Sequence, residues 1–186
     1  MTYYIIGLTG RNASGKGTVA SLLMKRSFTY HSLSDTLRTK LAEKGIEESR
    51  DNLIAIGNKL REEGGPGVLA DMMRENLDTP KDHVVDSIRN PFEVHSLRRK
   101  FEGHHFCLIA VDARPEVRFE RLSERNRKGD SSSWEQFLEQ EKLEESSDNT
   151  NKQQLLATIN EADYVLDNSG NLKNLENNLQ EILDNL

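Results

Sequence analysis

The sequence predicts an α/β fold of three layers, in which a five-stranded parallel sheet is covered by helices. Short apolar runs alternate along the chain with longer, charged, amphipathic stretches, and this alternation is typical of a parallel sheet whose crossovers are helices. A length of 186 residues suits one domain, 1–186, with a core of its own. We find no internal repeat and no low-complexity linker that would divide the chain.

The strands are predicted at the short apolar runs, because such runs fit the buried strands of a parallel sheet. The second of them is the weakest signal, since it is short and partly polar. The predicted strands are Tyr3–Leu8, Phe28–Ser32, His83–Asp86, His105–Val111 and Asp163–Leu166.

The helices are predicted from amphipathic spacing and from residues that favour helix starts. Two starts carry a proline, whose missing N–H costs nothing in a first turn. The glycine-rich stretch 64–67 predicts a corner between two helices. The helices are predicted to begin after Gly15, around Ser34, near Asn52, at Pro91, at Pro115, near Ser133 and at Asn171.

A glycine-rich segment follows the first predicted strand directly and opens a helix. Its spacing, GxxxxGK, is that of a phosphate-binding loop (P-loop), and this context predicts a nucleoside triphosphate site on a P-loop NTPase fold. Backbone N–H groups and the helix N-terminus would hold phosphate oxygens, and Lys16 would add charge at the β- and γ-phosphates. The predicted ATP-binding residues are Gly10, Asn12, Ala13, Ser14, Gly15, Lys16, Gly17 and Thr18.

The residue after the loop lysine departs from the commonest pattern. It is Gly17, and the hydroxyl that would meet Mg²⁺ comes one position later, at Thr18. This Gly-Lys-Gly-Thr ending resembles the adenylate kinases, one group of nucleoside monophosphate kinases. The resemblance implies phosphoryl transfer between small molecules, with Mg²⁺ held more by phosphates and waters than by the loop.

Composition limits the setting of this site. The net charge of −6, from 31 acidic and 25 basic residues, argues against a general nucleic-acid or anionic-membrane binder. The lone Cys107 suits a reducing cytosol and is expected to be a small buried residue. No basic region precedes a long apolar stretch, and no run approaches about 18 apolar residues. We therefore expect a cytoplasmic protein without a signal peptide or membrane span.

Asp35 and Arg38 follow the second predicted strand, where ligands of open α/β sheets bind. Ser34 or Asp35 is expected to cap the next helix and to place Arg38 on its first turn. The segment resembles the part of adenylate kinases that contacts the acceptor phosphate, which implies acceptor binding by Arg38 within a helical region at about 34–80. An ordinary capped helix with a solvated arginine is the alternative.

Asp86 and Arg89 follow the third predicted strand in the same way. A carboxylate at this strand end is the usual partner of a P-loop and is expected to hold a magnesium-bound water. Arg89 is expected to neutralise phosphate oxygens with its planar fork, both in catalysis and in acceptor binding. The alternative is that Asp86 only caps the following turn.

An arginine-rich helix follows the fourth predicted strand. Arg118, Arg121 and Arg125 recur at spacings of three and four and share one face, which alone would suit a solvated, salt-bridged surface. In nucleoside monophosphate kinases an Arg-x-x-x-Arg pattern leads into the lid, and Arg121 and Arg125 match it best. The resemblance implies that both act on the transferring phosphoryl group and that a lid-like insertion occupies about 126–148.

The stretch 162–172 resembles the last strand and turn of dephospho-coenzyme A kinases. In that family the turn borders the adenine of ATP, which makes Asn168 and Gly170 candidates for base contacts. A plain Asn-Ser-Gly turn into the terminal helix is the alternative. The middle of the chain, from Gly57 to Arg61, also resembles archaeal nucleotide-kinase-like proteins and the kinase-like part of some deoxycytidylate deaminases.

Three functions follow from these residues. The first is a kinase that moves the γ-phosphoryl of Mg-ATP to a nucleoside or deoxynucleoside monophosphate, with a small nucleotide as its partner and no nucleic acid. The second is dephospho-coenzyme A kinase, in which Asp35 would accept the proton of a sugar hydroxyl. The third is a non-metabolic ATPase or nucleotide-responsive binding module, suggested by the acidic, serine-rich stretch at 129–148. The oligomeric state stays open.

Overall fold

The structure, a computed structural model, describes residues 2–77, 79–99, 103–125, 130–145 and 154–186. Its centre is a five-stranded sheet in which every neighbouring pair runs parallel. The strand order is β2-β3-β1-β4-β5. The strands are β1 (Tyr3–Thr9), β2 (Thr29–Ser32), β3 (His83–Asp86), β4 (His104–Asp112) and β5 (Tyr164–Asp167).

Helices cover both faces of this sheet, so the predicted α/β fold is confirmed. The predicted starts agree with the observed ones to within about two residues, and the short α8 is a helix that the sequence analysis did not predict. The helices are α1 (Lys16–Met24), α2 (Leu33–Glu43), α3 (Arg50–Gly64), α4 (Val68–Leu77), α5 (Pro91–Arg98), α6 (Pro115–Arg125), α7 (Trp134–Glu145), α8 (Leu155–Asn160) and α9 (Leu172–Asp184).

The core divides between the two faces because successive residues of a strand point in opposite directions. In β1, Ile5 packs with α2, α3, α4 and α5. Its neighbour Ile6 packs on the other face with α1 and α9. Cys107 of β4 is buried in this second layer, as predicted, and burial raises the pKa of its thiol to about 12.

Side-chain caps fix where several helices begin. Ser32, and not Ser34 or Asp35, caps α2, and its hydroxyl accepts the Ser34 N–H at 3.2 Å. The expected cap was two to three residues too late because β2 runs directly into α2, so that the last residue of the strand is also the cap of the helix. Asn90 caps α5 directly before Pro91, so this helix begins where the proline predicted.

The carboxyl ends of the strands meet at one edge of the sheet, which is where open α/β sheets bind ligands. The loop after β1, the turn after β3 and the turn after β5 all lie there. Within the described ranges, no helix is long and apolar enough to cross a membrane.

Candidate nucleotide-binding site

The loop between β1 and α1 has a backbone that requires glycine at two positions. Gly10 has φ 140° and Gly15 has φ 101°, in the region that disfavours side chains. A Cβ at Gly10 would overlap the Val111 carbonyl oxygen, and one at Gly15 would overlap the Asn168 amide. The loop is therefore wedged between β4 and the turn after β5.

The loop has two features that favour an anion. Gly15 caps α1 without a side-chain hydrogen bond, and although the Thr18 N–H donates to the Gly15 carbonyl at 2.9 Å, the helix N-terminus keeps its partial positive charge. Ser14 is fully buried, and its Oγ has no hydrogen-bond partner within the described part of the chain. These features suit a loop that binds an anion such as a phosphate.

Lys16 folds back over the loop. Its Nζ donates to the carbonyls of Gly10 at 2.7 Å and of Arg11 at 3.0 Å. The pKa of this amine is lowered to about 7, chiefly by burial and next by the nearby Arg89 guanidinium, while the Asp86 carboxylate opposes both. These effects bring Arg89 and Asp86 within electrostatic reach of Lys16, and their predicted roles toward ATP stay predictions.

Asp86 ends β3 beside the loop and is almost fully buried. Its Oδ1 accepts the Ser87 N–H at 2.6 Å, and its Oδ2 accepts the Tyr30 hydroxyl at 3.4 Å. Ser87 has φ 68°, a strained value for a residue with a side chain. The long contact to Tyr30 leaves Oδ2 weakly held, which fits a carboxylate that can also accept a metal-bound water.

Thr18 and Gly17 lie in the first turn of α1, and both are exposed. Nothing lies within 4 Å of a Cβ built on Gly17, so the missing side chain there reflects no lack of space. The Thr18 hydroxyl and the Asp86 carboxylate are the predicted side chains that could hold a magnesium ion near this loop, since both offer oxygen ligands of the kind that Mg²⁺ prefers.

Arg121 and Asn168 lie at the loop but contact its carbonyl oxygens. Arg121 Nη1 donates to Ala13 O at 3.3 Å and to Ser14 O at 3.4 Å, and its Nη2 donates to Asn168 O at 2.7 Å. Asn168 Nδ2 also donates to Ser14 O, at 2.9 Å. Together they attach the loop to the turn after β5, which holds Gly170 too.

Arg125 and Arg118 share the face of α6 with Arg121 but have different partners. Arg125 pairs with Asp130 at 2.7 Å and reaches Asn12 Oδ1 at 3.3 Å. Arg118 is buried, pairs with Glu141 of α7 and lies 5.3 Å from the Phe137 ring centroid. Of the three, Arg118 attaches α7 to α6, and the other two face the loop.

The predicted lid lies only partly within the described residues. Residues 126–129 and 146–148 fall outside them, and the part between includes α7. Trp134 and Phe137 of α7 pack against Phe119 of α6, with ring centroids 5.4 Å and 5.6 Å away. These ring contacts hold α7 against α6.

Asp35 and Arg38 lie on the first turns of α2 and are exposed. They pair with each other at 2.6 Å, and Arg38 also pairs with Glu48 at 2.9 Å. Burial and the negative charge of Asp86 raise the pKa of Tyr30, and the charge of Asp35 adds to this effect. Both carboxylates therefore act electrostatically on the Tyr30 hydroxyl.

Sequence reasoning missed Tyr30, Ser87 and the ion pair between Arg61 and Glu93. Tyr30 lies in the weakest predicted strand. Ser87 has a positive φ angle that no sequence pattern predicts. Arg61 and Glu93 are 32 positions apart, so no local spacing links them.

The chain is similar in sequence to known proteins. A family model described as an AAA domain matches residues 6–144. A UPF0200 protein of Pyrococcus furiosus is 32% identical over 183 residues, which cover 96% of this chain and 95% of that protein. The name of that relative states no activity.

Two solved structures share the fold. TT1252 from Thermus thermophilus has a TM-score of 0.62 at 24% identity, covering all of this chain and 99% of its own. Shikimate kinase from Bacteroides thetaiotaomicron has a TM-score of 0.60 at 14% identity, with 97% of each chain covered. At these identities the likeness establishes a P-loop kinase-like fold.

Proposed function

The chain belongs to the UPF0200 family and contains an AAA domain, and from this premise we propose that it transfers the γ-phosphoryl group of Mg-ATP to a small acceptor. The observation that carries the proposal is the grouping of Arg89 and Asp86 around Lys16, at a loop whose backbone requires glycine at positions 10 and 15. Phosphoryl transfer depends on positioning and on charge neutralisation more than on covalent chemistry of the protein. A loop, two cations and one carboxylate supply those requirements.

Each residue has a part in this proposal. The loop N–H groups and the Ser14 hydroxyl bind phosphate oxygens, and Lys16 leaves its carbonyl partners to bind the β- and γ-phosphates. Arg89 neutralises the migrating phosphoryl group. Asp86 and Thr18 hold Mg²⁺, which when bound neutralises phosphate oxygens. Arg121 and Asn168 keep the loop in place.

The proposed acceptor is a nucleoside or deoxynucleoside monophosphate, bound by Arg38 and Arg89. A phosphate acceptor is already a nucleophile and needs no general base. Arg38 lies at the start of α2, near the carboxyl end of β2, where an acceptor would enter between β2 and the loop. Its two ion pairs are exposed, so an incoming phosphate can replace them at little cost.

A hydroxyl acceptor, as in dephospho-coenzyme A kinase, is the second candidate. It is favoured by the two carboxylates that act on Tyr30, namely Asp35 just after β2 and Asp86 at the end of β3. A carboxylate there can accept the proton of an attacking hydroxyl, and Asp35 is the more exposed of the two.

ADP release from Mg-ATP tests these functions against each other. The panel contains ribo- and deoxynucleoside monophosphates and dephospho-coenzyme A, with Asp35→Asn measured beside the wild type. Stimulation by a monophosphate that survives Asp35→Asn supports the proposed kinase. Stimulation by dephospho-coenzyme A that Asp35→Asn abolishes supports the second candidate. Slow hydrolysis that no acceptor accelerates contradicts both and leaves an ATPase or a nucleotide-responsive binding module.

A further inference from the structure

A buried ion pair joins α3 to α5 behind the candidate site. Arg61 and Glu93 have side chains that are 4% and 0% exposed, and the Arg61 Nη2 and Nε atoms lie 2.7 Å and 3.2 Å from Glu93 Oε1. Removing two charges from water is costly, so a pair at this depth is a poor device for stability alone. Its other contacts indicate a more specific role.

The second oxygen of Glu93 binds the backbone of Arg89. Glu93 Oε2 accepts the Arg89 N–H at 2.9 Å. On the other side, the Arg89 carbonyl accepts the Gln154 N–H at 2.9 Å, just before α8. The main chain of Arg89 is therefore held from both sides. Glu93 binds it through a side chain, and Gln154 binds it through the main chain.

The turn held in this way is the one that carries the charges of the site. Asp86 and Arg89 lie three residues apart on it. Among the charged groups that shift the pKa of the Lys16 amine, Arg89 has the largest effect. We propose that Glu93 and Arg61 are positioning residues for the phosphoryl transfer proposed above. The Glu93 carboxylate fixes the Arg89 main chain so that its guanidinium faces the γ-phosphate, and Arg61 fixes the Glu93 carboxylate.

The same pair connects Arg89 to the acceptor side. A Cβ built on Gly57 would lie 3.3 Å from Arg61 Nη1 and 3.4 Å from Leu37 Cδ1, so α3 packs closely against α2 at Gly57, one helical turn before Arg61. Helix α2 carries Asp35 and Arg38. This accounts for the glycine and the arginine of the stretch 57–61, which the nucleotide site itself does not use.

Discrimination between ATP and ADP tests the positioning role without requiring a known acceptor. Calorimetry would give the dissociation constants of Mg-ADP and of a non-hydrolysable Mg-ATP analogue, and their ratio measures contacts to the γ-phosphate. In Glu93→Gln one oxygen becomes an NH₂ group, so either Arg61 or the Arg89 N–H loses its acceptor. We expect the preference for the ATP analogue to fall roughly tenfold, as expected for one charge-assisted hydrogen bond.

A double-mutant cycle separates positioning from general damage. Arg89→Met should lower the preference to a similar degree, and adding Glu93→Gln to it should lower the preference no further, because the two act through one group. Arg98→Met is the matched control. It breaks an ion pair with Asp163 at the opposite end of α5 and should leave the preference unchanged.

The outcomes that overturn the proposal are distinct. A Glu93→Gln variant with the wild-type preference, or losses that multiply in the double variant, would overturn the positioning role alone. A wild type that binds neither nucleotide would overturn the proposed function and this role with it. If Glu93→Gln does not fold, Arg61→Met/Glu93→Met removes both charges together, leaves no buried charge unpaired and should still lose the preference.

Discussion

Two glycines on either side of Lys16 should respond in opposite ways to the same substitution. Gly15 has φ 101°, and a Cβ there would overlap the Asn168 amide. Gly17 lies inside α1, and a Cβ there would meet nothing within 4 Å. Gly15→Ala and Gly17→Ala therefore form a matched pair that differs in backbone angle and in available space.

The magnitudes follow from these differences. Alanine at 15 would add strain of about 1–3 kcal/mol and would displace Asn168 from its hydrogen bond to Ser14, which contributes about 1 kcal/mol. We expect Gly15→Ala to lower the free energy of unfolding by about 2–4 kcal/mol. Alanine at 17 favours the helix and restricts the unfolded chain, so Gly17→Ala should raise that free energy by about 0.4–1 kcal/mol.

Urea unfolding of the two variants and the wild type measures both effects. Nucleotide affinity should fall in Gly15→Ala, because the loop backbone must shift, and should stay close to wild type in Gly17→Ala. A Gly15→Ala variant with unchanged stability would refute the wedged-loop geometry. A strongly destabilised Gly17→Ala variant would refute the open space at that position.

Three further outcomes follow from the described contacts. The pKa of Lys16 is lowered to about 7, and the negative charge of bound phosphates should raise it again. Calorimetry of ATP binding at pH 8, in buffers of different ionisation enthalpy, should therefore detect proton uptake. At pH 5.5 the amine is already protonated, so this group should contribute little. Burial and the neighbouring imidazole lower the pKa of His31, and burial lowers the pKa of His83, whose Nδ1 lies 3.0 Å from His31 Nε2. The free energy of unfolding should therefore fall as the pH drops below 6.5, the pKa of histidine in the unfolded chain. The urea midpoint should depend less on pH in His31→Gln. Arg118→Met removes a guanidinium that is 2% exposed and that binds both Glu141 and the Ala113 carbonyl, and it should cost about 3–5 kcal/mol. Arg125 is 30% exposed, so Arg125→Met should cost less, about 1–3 kcal/mol in thermal unfolding, for leaving the Asp130 carboxylate without this partner.

The fold could be predicted because its signals are local. The apolar runs Tyr3–Leu8 and His105–Val111 identify strands without knowledge of their neighbours, and the structure has these strands at Tyr3–Thr9 and His104–Asp112. Proline at positions 91 and 115 marks helix starts by its own covalent structure. The phosphate loop is equally local, since its glycines, its lysine and its following helix are contiguous.

The roles of the arginines on α6 could not be predicted in this way. Arg118, Arg121 and Arg125 share one helical face, and spacing alone makes them equivalent. Their partners differ because α7 covers the first and the loop after β1 lies against the other two. Which neighbour covers which turn of a helix depends on tertiary packing.

The supports of the site were also beyond local reasoning. Arg61 and Glu93 meet only when α3 and α5 pack together. Tyr30 reaches Asp86 only because β2 pairs with β3. In each case the contact joins distant segments, and a single sequence holds no spacing rule for such pairs.

Calorimetric titration of Mg-ATP into the wild type and into Lys16→Ala tests the central claim most directly. The account predicts that the wild type binds Mg-ATP and that Lys16→Ala, still folded by its thermal transition, binds it roughly 10–100-fold more weakly, because a charged donor to the phosphates is lost. Equal affinity of the two proteins, or no binding by the wild type, would contradict the assignment of this loop as a nucleotide site.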